Sequence, residues 1–144
     1  MKIGIIRIDR MGDMALTLPI IKSIKVSNPS IEIDVFASNK NIKILNDFKY
    51  ITQIININHN YKNKKKYDLI INLSPGWKSF LFCLFNKSKK KASIILTSRY
   101  NNGSNSKKLI YFLSKIFFHE ILLVNRIKQY NTHQSIHQTD MMFK

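Results

Sequence analysis

The stretch that decides the fold is residues 2–37, which read KIGIIRIDRMGDMALTLPIIKSIKVSNPSIEIDVFA. Residues 2–8 form an apolar, β-branched run, which predicts a buried strand. A helix is predicted from about residue 14 to residue 27, where an Asn-Pro-Ser turn ends it. Apolar and polar residues then alternate over residues 31–37, as expected of a second strand. The stretch therefore predicts a strand–helix–strand unit.

The rest of the chain repeats this alternation. The pattern predicts a short helix at 39–48, strands at 51–57, 67–74 and 92–98, helices at 77–85 and 106–118, a short strand at 120–125 and a last helix from about residue 131. The basic segment 86–91 is interpreted as the C-terminal end of the helix at 77–85, where positive charge favours the helix dipole. The alternation indicates one α/β domain over residues 1–144, with a doubly wound, mostly parallel Rossmann-like sheet.

The charge of the chain favours polyanionic partners. The net charge is +16, from 24 Lys and Arg against 8 Asp and Glu. A positive field attracts nucleic acid, anionic lipid head groups or phosphorylated sugars. A second interpretation is that much of the excess lysine reflects AT-rich codons and lies on solvated faces. Because no RNA-binding aromatic motif, helix-turn-helix or zinc finger is present, nucleic acid is the less favoured partner.

The N-terminal apolar segment is broken by charged residues, so no secretory signal is expected. The apolar run at 109–124 contains polar residues and is short for a membrane span, although it suits a membrane surface. The single cysteine, Cys83, is expected to be an inert buried thiol. These features predict a cytoplasmic protein, with peripheral contact to the inner face of the cytoplasmic membrane as an option.

Several common site motifs are absent from the sequence. The first strand–helix turn has one glycine, Gly12, and neither a GxGxxG fingerprint nor a Walker A sequence. One cysteine and four scattered histidines do not predict a zinc site. No GxSxG nucleophile elbow occurs.

Gly12 and Asp13 stand where the first strand gives way to the first helix. Asp13 is either a helix N-cap, with Gly12 permitting the turn, or a general base at the ligand-binding edge of the sheet. The two roles compete, because capping bonds stabilise the anion and lower its basicity. Asp9 and Arg10 are weaker candidates that could pair with each other or with neighbours.

Three segments resemble the family nine glycosyltransferases, the ADP-heptose:lipopolysaccharide heptosyltransferases. In the first segment Arg7, Met11, Gly12, Asp13, Thr17 and Pro19 match the family pattern, and Ile33-Asp34-Val35 follows at the right distance. In the second, residues 67–79 keep Tyr67, Asp68, Gly76, Lys78 and Ser79 but have Asn72 where an acidic residue is common. In the third, residues 137–143 resemble a helix start, with His137 matching and His133 as the alternative.

The resemblance implies the N-terminal, acceptor-binding half of a GT-B enzyme with paired Rossmann-like domains. The implied reaction is an inverting transfer of heptose from ADP-heptose to the lipopolysaccharide inner core, with no metal and no cofactor. Asp13 would be the general base, and the acceptor-binding residues would be Gly12, Lys78, Arg99 and His137. The expected partners are the anionic lipopolysaccharide core, the inner membrane surface and a separate donor-binding chain, because the donor-binding half is not represented.

Several of the basic residues, and the single tryptophan, are also open to plainer interpretations. Lys78 would face an anion from a helix N-terminus, or it is a solvated helix residue. The loop cations Lys62, Lys64, Lys65, Lys66 and Arg99 flank the acceptor or, as the favoured interpretation, are ordinary solvated charges. For Trp77, packing is the favoured interpretation, and a platform on which a sugar ring stacks is the alternative. The alternatives for the whole chain are a basic nucleic-acid-binding domain and a catalytically inactive remnant.

Overall fold

The structure, a computed structural model, describes residues 1–58, 65–96, 112–113 and 115–124. The helices are α1 (Met11–Ala15), α2 (Leu18–Ser27) and α3 (Trp77–Phe85), with a short 3₁₀ helix at Ile42–Leu45. The strands are β1 (Lys2–Ile6), β2 (Glu32–Ala37), β3 (Gln53–Asn56), β4 (Tyr67–Asn72), β5 (Ser88–Leu96) and β6 (Glu120–Val124).

The six strands of the described part form one sheet in the order β3-β2-β1-β4-β5-β6, and every neighbouring pair is parallel. This order is that of the Rossmann fold, built outward from β1 in two directions. The prediction of a doubly wound, mostly parallel α/β sheet is therefore confirmed. The strands β1 and β2 contain nearly continuous runs of buried residues, as expected when helices cover both faces of a sheet.

Two hydrophobic clusters cover the two faces of the sheet. On one face the buried residues of β1 and β2 pack with α1, α2 and the 3₁₀ helix, through Met14, Ile21 and Leu45. On the other face Phe36, Tyr67 and Ile70 pack with α3 and with Phe118. The sheet is thus the middle layer, and its strand ends are the places where loops can form a site.

Cys83 is fully buried in the second cluster. Burial raises the pKa of its thiol to about 12. The expectation that this cysteine is buried is confirmed, and the thiolate, which is the reactive form, is disfavoured there.

The first predicted helix is two helices in the structure. The chain leaves α1 at Leu16 and enters α2 after Thr17, with Pro19 in the first turn of α2. Proline has no backbone N–H, so it cannot complete a hydrogen bond to the preceding turn, and a continuous helix is interrupted there. The helix also begins earlier than predicted, at Met11, which places Asp13 inside α1.

The prediction for residues 86–91 is wrong. Residues 88–91 are not the end of α3 but the first part of β5, where Ser88 pairs with Tyr67 and Lys91 with Ile70. The predicted short strand at 120–125 is confirmed as β6. Residues 112–113 and 115–117 are helical, in agreement with the predicted helix at 106–118, whereas Phe118 is not helical. Residues 106–111 and 114 of that helix, and the last predicted helix, lie outside the described residues.

No helix within the described ranges is long and apolar enough to cross a membrane.

Candidate active site

The candidate site lies at the carboxyl ends of β1 and β4, the two central strands. β1 leads into the loop at 7–10 and then α1, whereas β4 leads through residues 73–76 into α3. Here the strand order reverses direction, and in open α/β sheets ligands bind in the crevice at this point. The loop after β1 and the turn after β4 meet at this edge, where the Ile8 N–H donates to Ser74 Oγ.

The loop that follows β1 is held on both sides by buried polar side chains. The Asn41 amide donates to the carbonyl oxygens of Arg7 at 2.9 Å and Asp9 at 3.3 Å. The Ser38 hydroxyl donates to the Ile8 carbonyl at 2.9 Å, and the Ile8 N–H donates to Ser74 Oγ at 2.9 Å. Because buried bonds of this kind are costly to break, the loop has a defined backbone path.

Asp13 is the third residue of α1 and is not its N-cap. Arg10 occupies the N-cap position, and its backbone N–H donates to Asp13 Oδ2 at 3.4 Å. The side chain of Asp13 retains 28% of its exposure, so a solute can reach it. The structure thus gives a variant of the capping interpretation, in which the carboxylate reaches back to the N-cap with one long bond.

Arg7 is the residue that sequence reasoning left without a role. It is 3% exposed, and its Nη2 lies 3.2 Å from Asp13 Oδ1. Its Nη1 lies 3.8 Å from Asp9 Oδ2 and donates to the Leu73 carbonyl at the end of β4. An arginine directly after a buried strand is the sequence signal that could have identified it, since a buried cation requires anionic partners. Asp9 pairs with Arg7, not with Arg10.

The turn from β4 into α3 is closed by short hydrogen bonds. The Ser79 hydroxyl contacts the carbonyl oxygens of Ser74 at 2.6 Å and Gly76 at 2.7 Å. Asn72, which departs from the family pattern, is 1% exposed; its amide nitrogen donates to Ser93 Oγ, and its oxygen accepts the Ser74 N–H. Asn72 therefore joins β4 to β5 and supports the turn.

The predicted acceptor-binding residues are distributed as follows. Gly12 is exposed in α1, and a Cβ atom added there would meet no heavy atom within 4 Å. Lys78 is exposed in the first turn of α3, on the same edge of the sheet as Asp13. Arg99 and His137, as well as His133, lie outside the described residues.

Trp77 combines packing with exposure. Its ring stacks on Phe80 with centroids 5.8 Å apart, yet 46% of the residue remains exposed at the start of α3. Trp77 therefore packs on Phe80 with part of its surface, and the rest remains accessible at the start of α3.

Lys65 lies at the other end of the sheet. It precedes β4, and its amine donates to Asp34 Oδ2 at 3.0 Å, where the Tyr67 hydroxyl also donates at 2.9 Å. Lys65 therefore supports a buried carboxylate at the amino ends of the strands and does not flank Asp13. Lys66 is exposed at the same end, and Lys62 and Lys64 fall outside the described ranges.

Metal binding and an open cleft are two further features that bear on the site. Among the described residues, no group of three or more His, Cys, Asp or Glu side chains could hold a metal ion. A cleft of about 370 Å³ is lined by Asp47, Phe48, Lys49 and neighbouring residues up to Ile54. It adjoins the start of β3, and neither Arg7 nor Asp13 lines it.

No protein-family model matches the chain, and no curated protein sequence matches it. The fold, however, matches solved structures. A glycosyl transferase family 9 structure from Veillonella parvula aligns over 97% of this chain and 39% of its own, with a TM-score of 0.69 and 16% identity.

Two Escherichia coli structures also match. Heptosyltransferase WaaC with ADP aligns over 99% of this chain and 46% of its own, with a TM-score of 0.65 and 18% identity. ADP-heptose lps heptosyltransferase II aligns over 72% of this chain and 33% of its own, with a TM-score of 0.54 and 20% identity.

The chain spans less than half the length of each of these structures. At these identities the comparison concerns the backbone. The protein therefore has the α/β fold found in part of the family nine glycosyltransferases and heptosyltransferases.

Proposed function

We propose that this chain forms the acceptor-binding half of an inverting glycosyltransferase, which transfers heptose from ADP-heptose to the lipopolysaccharide inner core. The observation that carries the proposal is the Asp13 carboxylate, which is reachable from solvent at the switch point of the sheet. The family pattern around Gly12 and Asp13 and the shared fold support the same function.

In this reaction Asp13 acts as the general base. The acceptor O–H bond breaks and its proton passes to the carboxylate, while the acceptor oxygen bonds to the anomeric carbon of the heptose. The bond from that carbon to the diphosphate breaks, and its electron pair leaves with ADP. Asp13 Oδ1 is held by Arg7, whereas Oδ2 accepts one bond of 3.4 Å from Arg10. Oδ2 is therefore the oxygen that receives the proton.

The acceptor is anionic, and exposed groups at the same edge of the sheet as Asp13 suit it. Lys78 places a positive charge in the first turn of α3, where the helix dipole already favours anions. The open space at Gly12 leaves room for a sugar to approach α1. Arg99 and His137 complete the proposed set of acceptor-binding residues. For these two residues the proposal rests on the resemblance to the family alone.

The proposal places the donor site outside the 144 residues. ADP-heptose is a substrate, not a cofactor, and no metal is required. A separate donor-binding chain or segment would close over the carboxyl edge of the sheet. The reaction would take place in the cytoplasm, at the inner face of the membrane that holds the acceptor.

A transfer assay tests the proposal. Labelled ADP-heptose and deep-rough lipopolysaccharide are incubated with the chain, with and without an added donor-binding half. We expect transfer when both halves are present, and Asp13→Asn should reduce it by about a thousandfold while acceptor binding is retained. The matched control is Asp47→Asn, an exposed carboxylate away from this edge. Full transfer by Asp13→Asn contradicts the proposal, and so does no transfer under either condition.

The net charge of +16 keeps a nucleic-acid-binding domain as the second candidate. The two functions are distinguished by binding to duplex and single-stranded DNA at several salt concentrations. Binding at physiological salt with a steep salt dependence favours the nucleic-acid function, because each neutralised phosphate releases counterions. Binding to a lipopolysaccharide core fragment with no such DNA binding favours the transferase.

A further inference from the structure

Arg7 is a charged residue in an almost closed environment. Only 4% of its side chain is exposed, and burial of an uncompensated guanidinium would be costly. Within the described residues its ion-pair partners are Asp13 at 3.2 Å and Asp9 at 3.8 Å. These two carboxylates compensate the buried charge of Arg7. Because an apolar side chain would cost less to bury at this position, the cation next to the proposed base suggests a role beyond packing.

The contacts of Arg7 join α1 to the central strands. Its Nε donates to the Asp13 carbonyl at 3.3 Å, so the guanidinium contacts both the backbone and the carboxylate of one residue. Its Nη1 donates to the Leu73 carbonyl, which follows β4. The Leu73 N–H in turn donates to the Ile6 carbonyl at 3.0 Å, so the anchor belongs to the β1–β4 pairing.

The other contacts of Asp13 constrain the orientation of its carboxylate less than Arg7 does. The Thr17 hydroxyl donates to the Asp13 carbonyl at 3.0 Å and so fixes the backbone. The Arg10 N–H reaches Oδ2 at 3.4 Å, near the limit of a hydrogen bond. The Arg7 guanidinium is planar and rigid, so it sets the direction of Oδ1 more firmly than these contacts do.

We propose that Arg7 is a positioning residue, which orients the Asp13 carboxylate at the sheet edge by tying it to the end of β4. This role rests on the proposed function of Asp13 as a base. Arg7 also lowers the repulsion between this carboxylate and an anionic acceptor, because opposite charges in contact reduce the local negative field. Being buried behind Asp13, Arg7 does not itself contact the substrate.

The test uses the full chain labelled with ¹³C at the aspartate carboxyl carbons. The Asp13 resonance is assigned by its loss in Asp13→Asn. We expect Arg7→Met to shift that resonance and Arg7→Lys to shift it less, with the exposed Asp47 unchanged in both. Lys43→Met, which removes one exposed positive charge, is the matched control and should leave the Asp13 resonance in place.

The second measurement is transfer in the presence of a donor-binding half. Arg7→Met should lower kcat by about a hundredfold with less than a threefold change in acceptor KM, and Arg7→Lys should recover at least tenfold. Circular dichroism shows that each variant is folded. An unmoved Asp13 resonance in folded Arg7→Met overturns the proposal. Absence of transfer in the unsubstituted protein overturns the proposed function instead, and the resonance then decides separately whether Arg7 orients Asp13.

Discussion

Alanine at Gly4 and alanine at Gly12 should change the stability of the protein in opposite directions. The substitution is chemically the same at both glycines, but their surroundings differ. Gly4 lies in the middle of β1, under the cluster that contains Phe36, whereas Gly12 lies in the exposed first turn of α1. The comparison therefore isolates the effect of packing against the sheet.

The cost at Gly4 follows from the distances. A Cβ atom added there would lie 3.0 Å from Phe36 Cε2 and 3.3 Å from both Ile70 Cγ1 and Tyr67 Cδ1. All three neighbours are buried, at 0% to 1% exposure, so none can move aside freely. Overpacking costs about 1–3 kcal/mol, and the lower backbone entropy of alanine offsets about 0.5–1 kcal/mol. We expect Gly4→Ala to lower the free energy of unfolding by about 1–2 kcal/mol.

Gly12 offers the opposite case. No heavy atom lies within 4 Å of its Cβ position, and its backbone needs no left-handed conformation. Alanine is the better helix former by up to about 1 kcal/mol in a helix interior, and the advantage is smaller in a first turn. Gly12→Ala should raise the free energy of unfolding by about 0.5 kcal/mol.

Urea unfolding at 25 °C measures both effects. The single tryptophan, Trp77, stacks on Phe80 and reports the loss of packing by its fluorescence. For a chain of this length each kcal/mol corresponds to a shift of about 4 °C in Tm, so Gly4→Ala should melt about 4–8 °C lower. Equal or greater stability of Gly4→Ala would refute the assigned packing of β1 against Phe36, Tyr67 and Ile70.

Three further predictions concern single side chains. Because its pKa is raised to about 12, Cys83 should not react with a disulfide reagent at pH 8 in the folded protein, and should react fully in 8 M urea; rapid reaction when folded would contradict its burial. Tyr67→Phe removes a buried hydroxyl that donates to Asp34 and should cost about 1–2 kcal/mol in urea unfolding, whereas Tyr50→Phe should be neutral. Ser79→Ala leaves two carbonyls without their hydroxyl partner and should cost about 1 kcal/mol; an unchanged midpoint would mean that these bonds add nothing.

The sequence by itself determined the elements whose signal is local. Apolar runs marked β1 and β4, and the apolar segment after Gly76 marked α3, which the structure gives as Trp77–Phe85. Each pattern reflects burial of the element's own side chains, so it is visible in a short stretch of sequence without knowledge of the element's partners. The alternation of strands and helices then fixed the parallel topology, because short right-handed crossovers leave few alternatives.

Predictions from local patterns were wrong in two places. In one, pairing with a distant strand decided the structure, and in the other, a proline without a backbone N–H interrupted a helix. The lysines that precede Ala92 suggested a helix end, but the structure uses Ser88–Leu96 as a strand that pairs with β4. Pairing with a buried central strand satisfies the backbone groups of this segment, and this gain does not depend on the local charge. The single helix predicted from about residue 14 to 27 is divided in the structure: Asp13 lies in α1, which begins before the predicted start, and Pro19 lies in the first turn of α2.

At the candidate site, the sequence identified Asp13, Gly12 and the edge of the sheet, since a strand–turn–helix junction is a local feature. Only the tertiary structure showed that Arg7 contacts both Asp13 and the Leu73 carbonyl, 66 residues away along the chain. Which partner a buried guanidinium meets depends on which strands are neighbours, and the pairing of β1 with β4 sets that. The sequence thus indicated where Asp13 lies, but the contacts of Asp13 and Arg7 at this edge exist only because the parallel sheet brings two distant strand ends together.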